Sequence, residues 1–410
     1  MKIIIVGGGI GGLTLALSLH KEGHDVNVFE SVKEIKPLGV GINLLPHCVR
    51  VLTNLGLQEK IAQNAIETSD LKYFNKYGQE FWSEPRGRFA GYKWPQFSLH
   101  RGNIQMLLFD EVIAQIGKDT IQQNHHLSHF EQNENEVIAY FIDKDSGEKI
   151  HEEKADMLIG ADGINSVVRQ QLYPHEGKPV YSENVLYRGT TVMKPFLNGK
   201  SMAMIGSMKQ KMVVYPIQPI DSDGSCLINW VANVKEGKST LTARDWNRQA
   251  DQKRLINLYI DWTFDWLDVP TMIAGSKAVY EFPMSDRNPL EKWSFGRVTL
   301  LGDAAHPMYP IGSNGASQAI LDVDCLTECM KNNKDVLEIL AQYDKERVPA
   351  AAKVVMQNRA KGPDEILDMM ADWFPSGFTA DEIPHEKLAN VMDNYKKVAG
   401  FDIQTLNQKN

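Results

Sequence analysis

The alternation of apolar and polar residues along the chain predicts an α/β fold. Short apolar runs that end in glycine-containing turns occur at three distant places, at residues 2–6, 155–160 and 297–301. In each case the turn leads into a stretch with apolar residues at helical spacing, so each place predicts a strand, a tight turn and a helix. Such units are typical of a parallel sheet that is covered by helices.

The first unit carries Gly7, Gly9 and Gly12 in G-x-G-x-x-G spacing. Residues without a Cβ let the backbone approach a pyrophosphate, whose charge then faces the N–H groups and the positive dipole end of the helix. The next strand, residues 25–29, ends at Glu30, where this fold places the ribose hydroxyls. The sequence therefore predicts a dinucleotide site, and a chance clustering of glycines is the weaker alternative.

The unit near residue 300 points to the same ligand. Asp303 directly follows the strand predicted at 297–301, and Gly315 and Ala316 open the next helix. A carboxylate at a strand end can accept hydrogen bonds from ribityl hydroxyls, and free N–H groups at a helix N-terminus stabilise the negative charge of a reduced flavin. FAD is long enough to join this turn to the glycine loop, so the two units together favour FAD over NAD. An ordinary strand-turn-helix crossover is the alternative.

The third unit, Gly-Ala-Asp-Gly at 160–163, completes an ordered set of motifs with the glycine loop and with Gly-Asp-Ala-Ala-His-Pro at 302–307. From residue 1 to about 360 this set resembles the single-component FAD-dependent aromatic hydroxylases, which include p-hydroxybenzoate and salicylate hydroxylases. Five further segments are similar, within that class, to the phenazine-modifying monooxygenases, which include the pyocyanin-forming enzyme. These segments are residues 37–43, 82–87, 100–102, 245–248 and 314–322.

The resemblance implies a Rossmann-like FAD-binding domain of the p-hydroxybenzoate hydroxylase type, with an inserted β-sheet substrate domain and C-terminal helices. Short strands separated by glycine and proline turns between about 181 and 280 agree with such an insertion. We expect FAD-binding segments at 1–72, 98–180 and 281–360, a substrate domain at 181–280 with an excursion at 73–97, and a helical segment at 361–410.

The resemblance also implies the residues that meet the cofactor. Val40, Gly41 and Ile42 should line one side of the isoalloxazine, and Pro307, Pro310 and Gly312 the side where the peroxide forms. The full set expected to bind FAD comprises Gly7, Gly9, Gly11, Gly12, Glu30, Gly41, Ile42, Arg101, Gln105, Asp162, Asp303, Gly315 and Ala316. For Arg101, a solvated surface arginine is an equal alternative. Arg169 can hold pyrophosphate or nicotinamide, or pair with an acid, and the structural role is favoured.

The implied chemistry is centred on the flavin. NADH or NADPH reduces the FAD, O2 adds at the flavin C4a atom, and the distal peroxide oxygen passes to an electron-rich ring. The favoured substrate is a phenazine carboxylate that loses CO2 on hydroxylation, and a salicylate-like monocycle is second. We expect pocket walls from Met204, Val214, Tyr215 and Trp230, with plain sheet core as an equal alternative, and Arg188 is the candidate for binding a carboxylate.

The amino-acid composition limits the classes of partner that the protein is expected to bind. The 410 residues carry a net charge of −8 and no basic run, which disfavours nucleic acid. No apolar run reaches the roughly 18 residues of a membrane span. Cys325 and Cys329 lie four residues apart on a predicted helix, which most often means two core residues, and no metal site is predicted.

We therefore expect a cytoplasmic monomer or homodimer that acts on a small aromatic substrate and O2. Two other classes stay open at this stage. One is a flavoprotein reductase or dehydrogenase on the same fold, and the other is a flavin-binding regulator without turnover.

Overall fold

The computed structural model describes residues 1–237 and 248–409. Residues 245–247, which contribute to the phenazine-type resemblance, lie outside the described residues. The strands are β1 (Lys2–Val6), β2 (Asp25–Phe29), β3 (Gly41–Leu44), β4 (Ile66–Glu67), β5 (Asp70–Phe74), β6 (Glu80–Pro85), β7 (Phe97–His100), β8 (Ile121–Gln122), β9 (His126–Gln132), β10 (Val137–Ile142), β11 (Lys149–Ala155), β12 (Met157–Gly160), β13 (Val180–Met193), β14 (Ser201–Ser207), β15 (Gln210–Pro216), β16 (Cys226–Lys235), β17 (Thr263–Phe264), β18 (Leu267–Asp268), β19 (Val279–Asp286) and β20 (Val298–Leu300). The helices are α1 (Ile10–Lys21), α2 (Pro46–Asn54), α3 (Gln58–Ala62), α4 (Arg101–Gln115), α5 (Val167–Leu172), α6 (Gln252–Leu258), α7 (Val269–Ala274), α8 (Gly315–Asn332), α9 (Val336–Arg359), α10 (Glu365–Trp373), α11 (His385–Ala399) and α12 (Ile403–Asn407).

A five-stranded parallel sheet forms the first half of the architecture, in the order β20-β12-β1-β2-β8. Its central strand is apolar along its whole length, and Ile3, Ile4 and Ile5 are fully buried. Strands that are covered on both faces have this composition. Helix α1 packs against α4 and α8 over the sheet. Because all five strands run the same way, their carboxyl ends share one edge.

A seven-stranded sheet forms the second half, in the order β19-β13-β16-β15-β14-β5-β6. All of its pairings are antiparallel except that of β5 with β14. The sheet draws its strands from three parts of the chain, from Asp70 to Pro85, from Val180 to Lys235, and from Val279 to Asp286. Strands β5 and β6 thus join the sheet that the main insertion builds.

The two faces of this second sheet pack against different helices. One face packs on α6 and α7, and the other is covered by α10 and α11 from the C-terminal segment. Helix α10 ends at Trp373. Smaller sheets, β11-β10-β9 and β3-β7-β4, flank the parallel sheet. In residues 1–237 and 248–409, no helix has the length and apolar character needed to cross a membrane.

Candidate active site

The predicted cofactor motifs meet at one edge of the parallel sheet. The glycine loop follows β1, Glu30 follows β2, Asp162 follows β12, and Asp303 follows β20. At about 4.8 Å per strand, the three steps from β2 to β20 span about 14 Å. Ligands of open α/β sheets bind at the carboxyl ends of the strands, where the connections diverge to the two sides of a central strand.

The glycine loop has the shape of a cradle for an extended phosphate group. Gly7 adopts a positive φ of 112°, and a Cβ on Gly12 would lie 2.0 Å from the Gly7 carbonyl oxygen. A Cβ on Gly11 would lie 2.8 Å from Leu301 Cδ2, so this glycine serves helix packing. By contrast, no described atom lies within 4 Å of a Cβ placed on Gly9. The open space at Gly9 adjoins the N-terminus of α1 and fits a pyrophosphate.

Two polar side chains hold the loop from outside. The Glu30 carboxylate accepts hydrogen bonds from the Gly8 N–H at 2.8 Å and the Val32 N–H at 2.9 Å. Gln105 Nε2 donates to the Gly8 carbonyl oxygen at 2.9 Å. The structure therefore places Glu30 and Gln105, both predicted from sequence, against the loop that would carry the cofactor.

The turn after β20 presents an exposed carboxylate. Asp303 is exposed, and its side chain forms no hydrogen bond within the described part of the chain. Arg169 fixes the backbone of this turn, because its Nη1 donates to the carbonyl oxygens of Ala304 at 2.9 Å and Ala305 at 2.8 Å. Arg169 also pairs with Glu176 at 2.6 Å, which is the structural role favoured from sequence. Gly315 and Ala316 begin α8, and no side chain from the described residues caps that N-terminus.

A buried ionic cluster supports the same turn from below. Asp322 on α8 is fully buried and accepts hydrogen bonds from His306 Nε2 at 2.6 Å, from Arg347 Nε at 2.7 Å and from the Gly302 N–H at 2.9 Å. One carboxylate therefore ties the Asp303 turn to α8 and α9. Sequence reasoning did not find this cluster, since its members lie on three separate segments.

Asp162, predicted to contact FAD, has a structural contact of its own. Its Oδ2 accepts a hydrogen bond from the Val167 N–H at 2.7 Å and thereby caps α5, while its Oδ1 has no hydrogen-bond partner among residues 1–237 and 248–409. Burial raises the pKa of this carboxyl and outweighs the hydrogen bonds that lower it. The free oxygen leaves one acceptor at the sheet edge.

The two sheets meet at Gly41. Its N–H donates to Asn229 Oδ1 at 2.7 Å, and a Cβ there would lie 2.7 Å from Tyr215 Cε2. Ile42 is the next residue of β3, and the β3–β7 pairing sets Gly41 opposite His100, beside Arg101. The Arg101 side chain is exposed and lies along Gly39. Gly41 therefore stands between the predicted cofactor edge and the substrate sheet.

Arg188 lies on this same face of the substrate sheet. It sits two positions from the residue that pairs with Asn229, and its guanidinium lies over the Phe282 ring at 5.6 Å. Among the described residues no carboxylate pairs with Arg188, and its Nε is shielded without a hydrogen-bond partner. Desolvation lowers the pKa of Arg188, and the nearby Tyr215 partly offsets this effect. Burying a cation is unfavourable unless an anion pairs with it. Arg188 is therefore suited to bind an anionic group of a ligand.

The other predicted pocket residues divide between the two faces. Met204 and Tyr215 face α10 and α11, on the same side as Arg188. Val214 and Trp230 belong to the core with α6 and α7, where Trp230 Nε1 donates to Thr191 Oγ1 at 3.1 Å. The structure therefore does not bring Val214 and Trp230 to the pocket side, because neighbouring strand residues point to opposite faces.

The segment expected to border the peroxide side, 307–312, leads into α8. Pro307 is buried and Pro310 is exposed. Gly312 has a φ of 67°, and a Cβ there would lie 1.9 Å from Tyr395 Oη. Tyr395 comes from α11 and donates to Asn358 Oδ1 at 3.1 Å. The C-terminal helices thus close directly onto this segment.

A charged group that sequence reasoning missed lies beside Gly312. Glu84 pairs with Arg86 at 2.6 Å and with Lys396 of α11 at 2.8 Å, and all three line a small cavity next to Gly312. Tyr73 Oη in this cavity has no hydrogen-bond partner in the part of the chain that the structure describes. Glu84 and Arg86 belong to the segment 82–87, whose similarity to phenazine-modifying enzymes was the only indication in the sequence.

Comparisons with known proteins agree with this geometry. A family model described as an FAD binding domain matches residues 1–358. The chain is 40% identical to the phenazine 1,6-dicarboxylic acid hydroxylase of Lysobacter antibioticus over 88% of this chain and 90% of that protein. It is 30% identical to a salicylate hydroxylase of Pseudomonas putida over 86% of this chain and 83% of that protein.

Solved structures show the same fold. A variant of Klebsiella pneumoniae HpxO complexed with FAD superposes with a TM-score of 0.78 at 22% identity, covering 97% of this chain and 99% of that one. The predicted fold class is confirmed, and the resemblance found in the sequence is confirmed by the relatives. The chain belongs to the FAD-dependent aromatic hydroxylase family and is an FAD-dependent monooxygenase.

Proposed function

We propose that this enzyme uses NADH or NADPH and O2 to hydroxylate a planar aromatic carboxylate, and that Arg188 binds the carboxylate. The observation that carries the proposal is the half-buried Arg188 without an acidic partner among the described residues, on the sheet face next to Gly41. The relative from Lysobacter antibioticus acts, by its name, on a phenazine dicarboxylic acid. We place the enzyme in the cytoplasm, where the reduced nicotinamide is available.

The protein's part in this reaction is to bind, orient and exclude water. The glycine loop and Glu30 would hold the adenosine end of FAD, and Asp303 with the free N–H groups of α8 would hold the ribityl chain and the flavin. Bound FAD would carry two electrons from NADH or NADPH to O2, so that one oxygen atom enters the substrate ring and the other leaves as water. Arg188 would fix one edge of the substrate ring, since a guanidinium binds a carboxylate in a bidentate geometry.

The floor beneath the substrate would be the sheet face that carries Tyr215 and Met204. Tyr215 can stack on an aromatic ring, and Met204 supplies an adaptable, polarizable surface. Helices α10 and α11 pack against this face and would keep water out of the site. A dry site strengthens the electrostatic contact between Arg188 and the carboxylate.

Replacing Asp303 with Ala should weaken FAD binding about 10- to 100-fold. The carboxylate is exposed and without a hydrogen bond among the described residues, so its loss removes ligand contacts worth about 1.5 to 3 kcal/mol without breaking a contact of the folded protein. The dissociation constant follows from the quenching of flavin fluorescence on titration. Asp119→Ala is the matched control, since Asp119 is exposed and precedes β8 at the opposite edge of the sheet. Equal FAD affinity in the Asp303 variant and the wild type would remove Asp303 from the site.

Oxygen from ¹⁸O2 should appear in the hydroxylated product, and NADH oxidation should accelerate when the aromatic carboxylate is added. Without a substrate in the dry cavity, reduced enzyme should release H2O2. Mass spectrometry of the product and a peroxide assay measure the two outcomes. Coupled product formation in the absence of O2 would contradict a monooxygenase.

A comparison of two aromatic carboxylates tests the substrate class. A phenazine carboxylate and salicylate, at equal concentration, should be compared for NADH oxidation and for CO2 release. Faster and better coupled turnover of the phenazine supports the wide ring that the 40% relative indicates. Better coupled turnover of salicylate would show that segment 82–87 reflects a shared scaffold and that the substrate is monocyclic.

A further inference from the structure

We propose that Cys325, Cys329 and Glu346 form a binding site for a thiophilic divalent metal, with Zn²⁺ as the natural occupant. One ligand atom from each residue lies within 4.8 Å of the other two. Cys325 Sγ lies 3.4 Å from Glu346 Oε2. The site belongs to the outer side of α8 and α9, apart from the flavin edge.

The local structure explains why these three residues meet. Cys325 and Cys329 are four residues apart on α8 and therefore project from one side of the helix. Helix α9 packs along α8 and brings Glu346 to the two thiols. Sequence spacing alone predicted only a pair of core cysteines, because the third ligand comes from the next helix.

The donor set and its exposure suit zinc. Two sulfurs and one carboxylate are established zinc ligands, with Zn–S distances of about 2.3 Å, and a water molecule can complete a tetrahedron. Cys329 is buried, Cys325 is half-buried and Glu346 is exposed, so an ion can enter from the solvent side. Small side-chain rotations would draw ligand atoms that are already within 4.8 Å onto one ion.

The Glu346 carboxylate is available to a metal ion among the described residues. Within the described chain, no Lys or Arg side chain forms an ion pair with Glu346, whose Oε1 accepts a hydrogen bond from Gln342 Nε2 at 2.5 Å. That contact orients the carboxylate as outer contacts do in metal sites.

A metal here would link α8 to α9. Helix α8 starts at Gly315 beside the flavin edge, and Arg347 of α9 belongs to the buried cluster with Asp322. Metal binding should therefore raise the melting temperature of the FAD-loaded enzyme, since it acts on the folded state alone. The hydroxylation itself does not require the metal.

The test uses tag-free, reduced, FAD-loaded enzyme that has been freed of metals with a chelator. Cd²⁺ serves as the spectroscopic probe, and Zn²⁺ is then titrated in competition. We expect one equivalent per chain, a sulfur-to-cadmium charge-transfer band in the ultraviolet difference spectrum, and a higher melting temperature. Cys325→Ser and Cys329→Ser should lose the band, Glu346→Gln should weaken binding, and Cys226→Ala, whose thiol lies in the other sheet, should bind as the wild type does.

Cys325 and Glu346 are accessible positions, so their variants test the site even where Cys329→Ser lowers stability. Absence of the charge-transfer band in the wild type would overturn the proposal. An unchanged band in Cys325→Ser would overturn it equally, because the sulfur ligands would then lie elsewhere. Neither result depends on the proposed hydroxylation.

Discussion

Replacing Asp322 with Ala should lower the free energy of unfolding by about 3 to 5 kcal/mol, the usual loss when one partner of a buried ion pair is removed. Asp322 is fully buried and binds His306, Arg347 and the Gly302 N–H through its two carboxylate oxygens. In the variant, the Arg347 guanidinium stays in the interior without its anion. The turn that presents Asp303 also loses its anchor, so FAD affinity should fall together with stability.

Urea denaturation at a fixed FAD concentration measures the first effect. Glu328→Ala is the control on the same helix, because this side chain is exposed and its removal should change stability by less than about 0.5 kcal/mol. If Asp322→Ala unfolds at the urea concentration of the wild type, the cluster does not stabilise the fold.

The pH dependence of this effect has a definite sign. Burial raises the pKa of Asp322, but the charges of His306 and Arg347 outweigh it, and the pKa lies below the ordinary value of 3.8. A carboxyl with a lowered folded-state pKa stabilises the fold fully above its unfolded pKa and loses this contribution as the pH falls through the folded value. The difference in stability between the wild type and Asp322→Asn should therefore shrink below a pH of about 4.

The parallel sheet and its cofactor edge were predictable because each is encoded locally. Glycines at fixed spacing follow a short apolar strand at Gly7, and an acid ends the next strand at Glu30. The second acid at Asp303 repeats the pattern after β20. Parallel strands then bring such strand ends together without further information, since their carboxyl ends share one edge.

The sequence did not predict which face of the substrate sheet each side chain points to. Tyr215 and Val214 are neighbours in sequence, yet one lies toward the pocket side and the other in the core with Trp230. When both faces of a sheet are covered, both sets of positions are apolar and the period of two disappears from the sequence.

Contacts between distant segments could not be predicted from the sequence, for a different reason. Glu84 meets Lys396 of α11 more than 300 residues away, and Asp286 pairs with Arg359 rather than with the adjacent Arg287. No local pattern carries these pairings. The similarity of segment 82–87 to phenazine-modifying enzymes marked Glu84 and Arg86 as residues of interest without giving their partners.

Replacing Arg188 with Met should weaken binding of the aromatic carboxylate by about 2 to 5 kcal/mol, which is roughly 30- to 5,000-fold. The guanidinium has no carboxylate partner among the described residues, so the substrate would supply the missing anion. Met keeps an unbranched apolar side chain at this position and removes the guanidinium that lies over the Phe282 ring. Perturbation of the flavin spectrum on titration with substrate gives the dissociation constant.

The same variant should keep or gain stability, and this second result separates a binding role from a structural one. A shielded cation without an acid is unfavourable in the free enzyme, because desolvation already lowers the pKa of Arg188. Its removal should leave the free energy of unfolding unchanged or raise it by up to about 1 kcal/mol.

Arg254→Met is the control, since Arg254 forms its ion pair with Glu236 near the surface and should not affect substrate affinity. A substrate analogue without the carboxylate should bind the wild type and Arg188→Met equally. Loss of stability with unchanged substrate affinity would show instead that Arg188 serves the fold, and the carboxylate would have to be bound elsewhere.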